Sequence, residues 1–124
     1  MGEIKVKVPE DFMMGAAASA WQTEGWSGKK DFQDSYLDVW YKHDKNVWHN
    51  GYGPAVATDF YHRYKEDIRY MKEIGLTHFR TSINWSRFLV DYEHAVVDEE
   101  YARYVDDVIH ELIENGIEPM ICLE

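Results

Sequence analysis

The sequence predicts an α/β protein with a parallel sheet, and three observations carry that prediction. Short apolar runs of strand length alternate with two amphipathic helical stripes. Each stripe is closed by a glycine. The resulting order, strand, loop, helix, strand, helix, strand, implies right-handed crossovers between parallel strands.

The first strand is expected over residues 12–20, entered from Pro9, in the run FMMGAAASA. Residues 27–57 are polar, glycine-containing and aromatic, and read as a long loop with one helical turn; loops of that length are uncommon in compact domains unless they are functional. Thr58 reads as the N-cap of the first long helix, with Asp59 in its first turn complementing the helix dipole. Phe60, Tyr64, Ile68, Met71 and Ile74 follow at steps of four, four, three and three, one helical stripe. Gly75 stands where a glycine ends a helix. THFRTSINW, residues 77–85, alternates Phe79, Thr81 and Ile83 with Arg80, Ser82 and Asn84, a strand pattern. Asp98 opens the second helix, with Tyr101, Val105, Val108 and Leu112 on one face and Gly116 closing it. EPMICLE, residues 118–124, is a third strand. Three parallel strands leave two open edges and faces that must be covered. The run ends at Glu124, on that strand, so the chain is expected to be the first part of something larger.

Composition narrows the function. The 124 residues suffice for one small domain, and 45% hydrophobic content supports a packed core. A formal net charge of −10 argues against nucleic acid and anionic membranes, both of which need a positive face. No stretch approaches the roughly 18 apolar residues of a spanning helix. MGEIKVKVPE lacks an apolar signal core, and Val6 stands where a myristoylation motif carries Ser or Thr. Cys122 is the single cysteine, so no internal disulfide is available. A cytoplasmic location is the expectation. Nine tyrosines and five tryptophans supply core area, and they are also the residues that line sugar sites.

Several residues could carry chemistry. Arg80 shares the side of its strand opposite Phe79 and Thr81. A guanidinium cannot lose its proton, so inside a closed barrel it demands an acidic partner, and in an open sheet it reaches solvent. Gln22 ends the small-residue run between Trp21 and Trp26. Its carboxamide has two donors and an acceptor, which suits it either to clasp adjacent sugar hydroxyls or to serve as a satisfied structural amide. Glu24 reads as an acid, a base or a structural support. Glu114-Asn115-Gly116 has the look of a glycosidase nucleophile motif, yet it falls where the second helix closes. The six histidines show no metal-ligand spacing, and no phosphate-binding glycine loop or G-x-S-x-G is present, so neither metal nor cofactor is expected.

FMMGAAASAWQTEG resembles the N-terminal signature of glycoside hydrolase family 1, an aromatic, a small-residue run, then Gln, any residue and Glu. DFYHRYKEDIRYMKEIGLTHFRTSINWSR resembles the second conserved block of that family, and LIENGIEPMICL its approach to the third strand. DFYHRYKEDI together with Arg80-Thr81-Ser82-Ile83, Trp85 and Arg87 is most similar to the bacterial 6-phospho-β-glucosidase branch. The resemblance implies a (β/α)8 barrel of about 250 residues or more, with residues 1–124 the N-terminal portion of a single catalytic domain that supplies three strands. It implies hydrolysis of β-glucosides or 6-phospho-β-glucosides with retention by two glutamates, roughly 5–5.5 Å apart. Neither is expected in this chain, because the Asn-Glu-Pro acid motif and the nucleophile motif would both lie beyond Glu124. By the same resemblance Gln22 binds hydroxyls of the non-reducing sugar, and Arg80 contacts the nucleophile glutamate, lowering its pKa. The expected partners are the sugar substrate and the remainder of the barrel, or a second copy docked through the open strand edges. SRFLVDYEHAVVDEE lacks the proline and glycine usual after Ser-Arg, so a different loop is expected there, and Asn84 replaces a commonly small residue. A non-catalytic carbohydrate-binding or assembly module is the competing reading.

Overall fold

The computed structural model describes residues 2–123. Strand β1 (Gly15–Ala17) is followed by the single helical turn α1 (Ala20–Thr23) and the helix α2 (Tyr36–His43). Next come α3 (Phe60–Glu73), β2 (His78–Ser82), the turn α4 (Trp85–Phe88), a hairpin of β3 (Leu89–Asp91) and β4 (Val96–Val97), α5 (Glu99–Glu114) and β5 (Glu118–Cys122). β1, β2 and β5 form one parallel sheet in that order. This is the expected α/β topology, an open arc of parallel strands with helices between them.

The helices lie on one face of the sheet because their apolar stripes demand it. Phe60 and Ile68 of α3, Tyr101, Tyr104, Val108 and Leu112 of α5, Phe79 of β2 and Ile117 form one buried cluster. Ile68 and Leu112 are fully enclosed. Ile74, the last residue of the expected α3 stripe, is the exception and is exposed. It is the residue at which the helix ends.

Both long helices stop as expected. Gly75 has φ +86°, its N–H bonds Lys72 O, and the Leu76 N–H reaches back to Met71 O. Gly116, at φ +74°, repeats the arrangement with Ile113 and Leu112 as acceptors. A left-handed residue is needed there, and glycine meets it without a Cβ penalty. Glu114-Asn115-Gly116 is therefore a helix terminus, with Glu114 exposed. At its start α5 is capped by Asp98, whose carboxylate accepts the Glu100 and Tyr101 N–H groups.

Four expectations are corrected. The first strand is three residues long instead of nine, because the chain turns at Ser19 into α1, where the Thr23 hydroxyl donates to Ser19 O. Residues 27–57 hold a two-turn helix, α2, and two 3-10 turns. The helix is set by a reciprocal cap, in which Ser35 Oγ accepts the Asp38 N–H and the Asp38 carboxylate accepts the Ser35 N–H. Thr58 is not the cap of α3. Asp59 holds that position at φ +55° without a side-chain cap, and Thr58 Oγ1 instead donates to Thr23 O. The second strand ends at Ser82, so Asn84 caps α4 and no longer belongs to the ladder. The segment after Ser86-Arg87 forms the β3–β4 hairpin. Of the expected third strand, Glu124 lies outside the described residues.

Candidate functional site

The opposite face of the sheet is bare. Register places Ala17, Arg80 and Met120 side by side, and Arg80 and Met120 are exposed. Phe79 and Thr81 point the other way and are buried. Arg80 thus occupies the side assigned to it by strand alternation, and among the described residues it makes no ion pair.

Gln22 lies just past the carboxyl end of β1, on α1. It is exposed and borders a cleft of about 650 Å³ whose aromatic walls are Trp21, Tyr41, Trp48 and Tyr52. Trp21 is also a wall of a second cleft, about 450 Å³, between α1, α2 and α4. Both volumes fall in the roughly 300–1,000 Å³ range of small-molecule sites. Arg80 lines neither cleft.

Glu24, by contrast, faces inward and is 4% exposed. The Tyr101 hydroxyl donates to its carboxylate, 2.8 and 3.0 Å from the two oxygens, and Arg87 Nη1 stands 3.7 Å away. Burial pushes the Glu24 carboxyl up to about 7, against the pull of Tyr101 and the Arg87 charge. Of its three expected roles, structural support is the one the packing fits. Arg87 is itself enclosed, between the rings of Tyr61 and Tyr101 at 4.7 and 4.8 Å, and donates to the carbonyls of Gly25 and Ser27. The Tyr101 oxygen also accepts the Asn84 N–H, so one hydroxyl ties the ends of β1 and β2 to α5. Gly25 completes the turn at φ +79°, and a Cβ there would lie 2.6 Å from Val56 O.

The long loop is held by a second buried carboxylate that sequence reasoning passed over. Asp38 is fully buried and accepts from the indole N–H groups of Trp21 and Trp26, at 3.0 and 2.7 Å, while its other oxygen accepts from Ser35. Trp21, Trp40 and Tyr41 pack around Trp48 with ring centroids 5.0–5.8 Å apart. A third carboxylate, Asp98, takes Lys30 and Gln33 from the same loop. Burial works against its ionisation, but these donors and the Tyr101 N–H outweigh that and hold it below the usual carboxylate range. The missed signal was Ser35-x-x-Asp38, a capping pattern.

The model of glycosyl hydrolase family 1 matches residues 4–124. The chain belongs to that family. Its family 1 relatives include the 6-phospho-beta-glucosidase GmuD of Bacillus subtilis, 40% identical over 117 residues that cover 94% of this chain and 25% of the relative. Beta-glucosidase 17 of Arabidopsis thaliana is 41% identical over 116 residues, 93% of this chain and 22% of the relative. Among solved family 1-like folds, the psychrophilic beta-glucosidase BglU of Micrococcus antarcticus superposes with a TM-score of 0.82 at 33% identity, over 94% of this chain and 24% of that one. Aphid myrosinase gives 0.85 at 28% identity, over 96% and 26%. The chain thus spans about a quarter of the length of the relatives it matches. The arc of three parallel strands is the corresponding part of their (β/α)8 barrel, not closed here.

Proposed function

We propose that residues 1–124 form the N-terminal portion of a single (β/α)8 catalytic domain that hydrolyses β-glycosides with retention, acting on 6-phospho-β-glucosides. The observation that carries this reading is the exposed pair of Gln22 and Arg80 at neighbouring parallel strands of a family 1 sheet. Active sites of such barrels sit at the carboxyl ends of the strands. In this reading Gln22 clasps sugar hydroxyls, and Arg80 pairs with the nucleophile glutamate and keeps it ionised.

In this reading neither catalytic carboxylate belongs to this stretch. Its buried acids Glu24, Asp38 and Asp98 are each engaged by hydrogen bonds that hold the fold together, which supports a structural role for them. The similarity to the B. subtilis 6-phospho-beta-glucosidase supports the phosphorylated substrate. In this reading the phosphate contacts come from other strands; neither cleft is lined by Lys or Arg among the described residues. The bare row of Ala17, Arg80 and Met120 favours a barrel segment over a free-standing sugar-binding module, because an apolar and cationic sheet face needs a cover.

The test is turnover of an aryl 6-phospho-β-glucoside and its unphosphorylated counterpart. The 124-residue chain alone is expected to be inactive. Continued in frame by the remaining strands of a family 1 barrel, it is expected to release the β-anomer first and to prefer the phosphorylated substrate. In that enzyme Gln22→Ala lowers kcat/KM by tenfold or more, on the order of one to two lost hydrogen bonds to substrate. Arg80→Met moves the acidic limb of the kcat/KM profile to higher pH, because the nucleophile loses the cation that lowered its pKa. Release of the α-anomer, or turnover by the isolated chain, would sink the reading.

A further inference from the structure

Gln22 is carried by a helix too short to hold a direction by itself. α1 is a single turn of four residues without a side-chain cap, and one isolated turn is unstable in water. The Gln22 side chain is exposed, so its direction is set by the turn that carries it. That turn is anchored on both sides of Gln22. Glu24, two residues on, is held from within by the Tyr101 hydroxyl. Trp21, one residue before, donates its indole N–H to Asp38 at 3.0 Å.

The surroundings of Asp38 are made of donors. Its Oδ1 accepts the indole N–H groups of both Trp21 and Trp26, the second at 2.7 Å. Its Oδ2 accepts the Ser35 N–H at 2.8 Å and the Ser35 hydroxyl at 2.9 Å, with the Lys29 ammonium 3.9 Å away. The side chain is fully buried. Four donors converging on two oxygens are satisfied by an ionised carboxylate, which only accepts. A carboxamide of the same size would turn an NH2 group towards two of them, whichever way it lay, and buried donors without an acceptor are costly. Ser35 is also the cap of α2, and Trp48, later in the same loop, packs on Trp21 with ring centroids 5.8 Å apart. One carboxylate therefore joins the long loop to the turn that bears Gln22.

We propose that Asp38 is a positioning residue for Gln22, acting through the Trp21 indole to fix the direction of α1 and so the aim of the carboxamide. This rests on the sugar-binding reading of Gln22 and adds a residue that touches no substrate. The long loop then serves the sugar site as a brace.

The test is steady-state kinetics of the continued barrel with an aryl 6-phospho-β-glucoside. Asp38→Asn should raise KM roughly three- to tenfold, the range for one misdirected hydrogen bond, and leave kcat within about twofold, because a contact made in ground state and transition state alike acts on KM. Leu112→Ala, in the apolar cluster on the other side of the sheet, should leave KM unchanged, whereas a general loss of stability would move both variants alike. In a Gln22→Ala background, Asp38→Asn should raise KM no further, since the two act through one contact. Ser35→Ala removes a neutral donor and keeps the carboxylate; it should raise KM about twofold, and it decides the matter if Asp38→Asn does not fold. Unchanged KM in Asp38→Asn and Ser35→Ala, or a full further rise in the Gln22→Ala background, would overturn the positioning role while leaving the Gln22 reading in place. An unaltered kcat/KM in Gln22→Ala alone would remove both.

Discussion

The two sides of this small structure are held by different forces. Beneath the sheet, α3 and α5 meet β2 through Phe60, Ile68, Phe79, Val108 and Leu112, an interface of apolar area with no charged group in its cluster. At the carboxyl end of the strands, α1 and the long loop are held by three buried carboxylates, Glu24, Asp38 and Asp98, and by the enclosed guanidinium of Arg87. Area tolerates substitutions of similar size, because many weak contacts share the load. A buried charge does not, because removing one partner strands the other. The end that carries Gln22 is therefore the end where single changes cost most.

Four experiments probe that contrast, read by urea unfolding of the continued barrel, in which the bare sheet face is covered. Above pH 7, where Glu24 is ionised, Arg87→Leu is expected to cost about 3–5 kcal/mol, since Glu24 loses its cation and Tyr61 and Tyr101 their packing. A cost below that of a surface change would show that the charged end is not what holds α1. Leu112→Ala is expected to cost about 2–5 kcal/mol through its cavity, independently of pH. Measured beside the first, it tells whether area or charge dominates.

The third experiment uses pH. Glu24 has a folded pKa near 7, above its ordinary 4.5. Between those values the folded state binds the proton that the unfolded state has released. The contribution of Glu24 is most favourable below 4.5, and it is lost as pH rises towards 7 by up to about 1.4 kcal/mol per pH unit. Glu24→Gln should flatten that slope and leave the behaviour of Leu112→Ala unchanged. An identical slope in wild type and Glu24→Gln would assign the dependence to another group. The smallest effect is Ser35→Ala, about 1 kcal/mol from loss of the α2 cap. It should also loosen Trp21 and Trp26, seen as a change in indole fluorescence, since Asp38 loses the neighbour that orients it.

The same contrast separates what was legible in the sequence from what was not. The α3 and α5 stripes, their closing glycines and the Asp98 cap were readable, because each depends on residues within one helix or a turn beyond it. The side of β2 that carries Arg80 was readable too, from period-two alternation. The early end of β1 and the displaced cap of α3 were not. Both follow from contacts far along the chain: Glu24 turns inward to Tyr101, 77 residues away, and Thr58 is drawn to Thr23, 35 residues away. Asp38 was half legible: its cap pattern with Ser35 is local and was passed over, whereas its two indole donors belong to the segment before its own helix.

By itself, then, the sequence determined the family, the order of strands and helices, and the outward placement of Arg80, because these rest on short-range periodicity and ordered motifs. Only the tertiary structure decided that Glu24 is an anchor, that Gln22 borders an aromatic cleft, and that Trp21 stands between two such clefts. Burial and hydrogen-bond partners are properties of residues brought together from distant parts of the chain, and no local pattern records them.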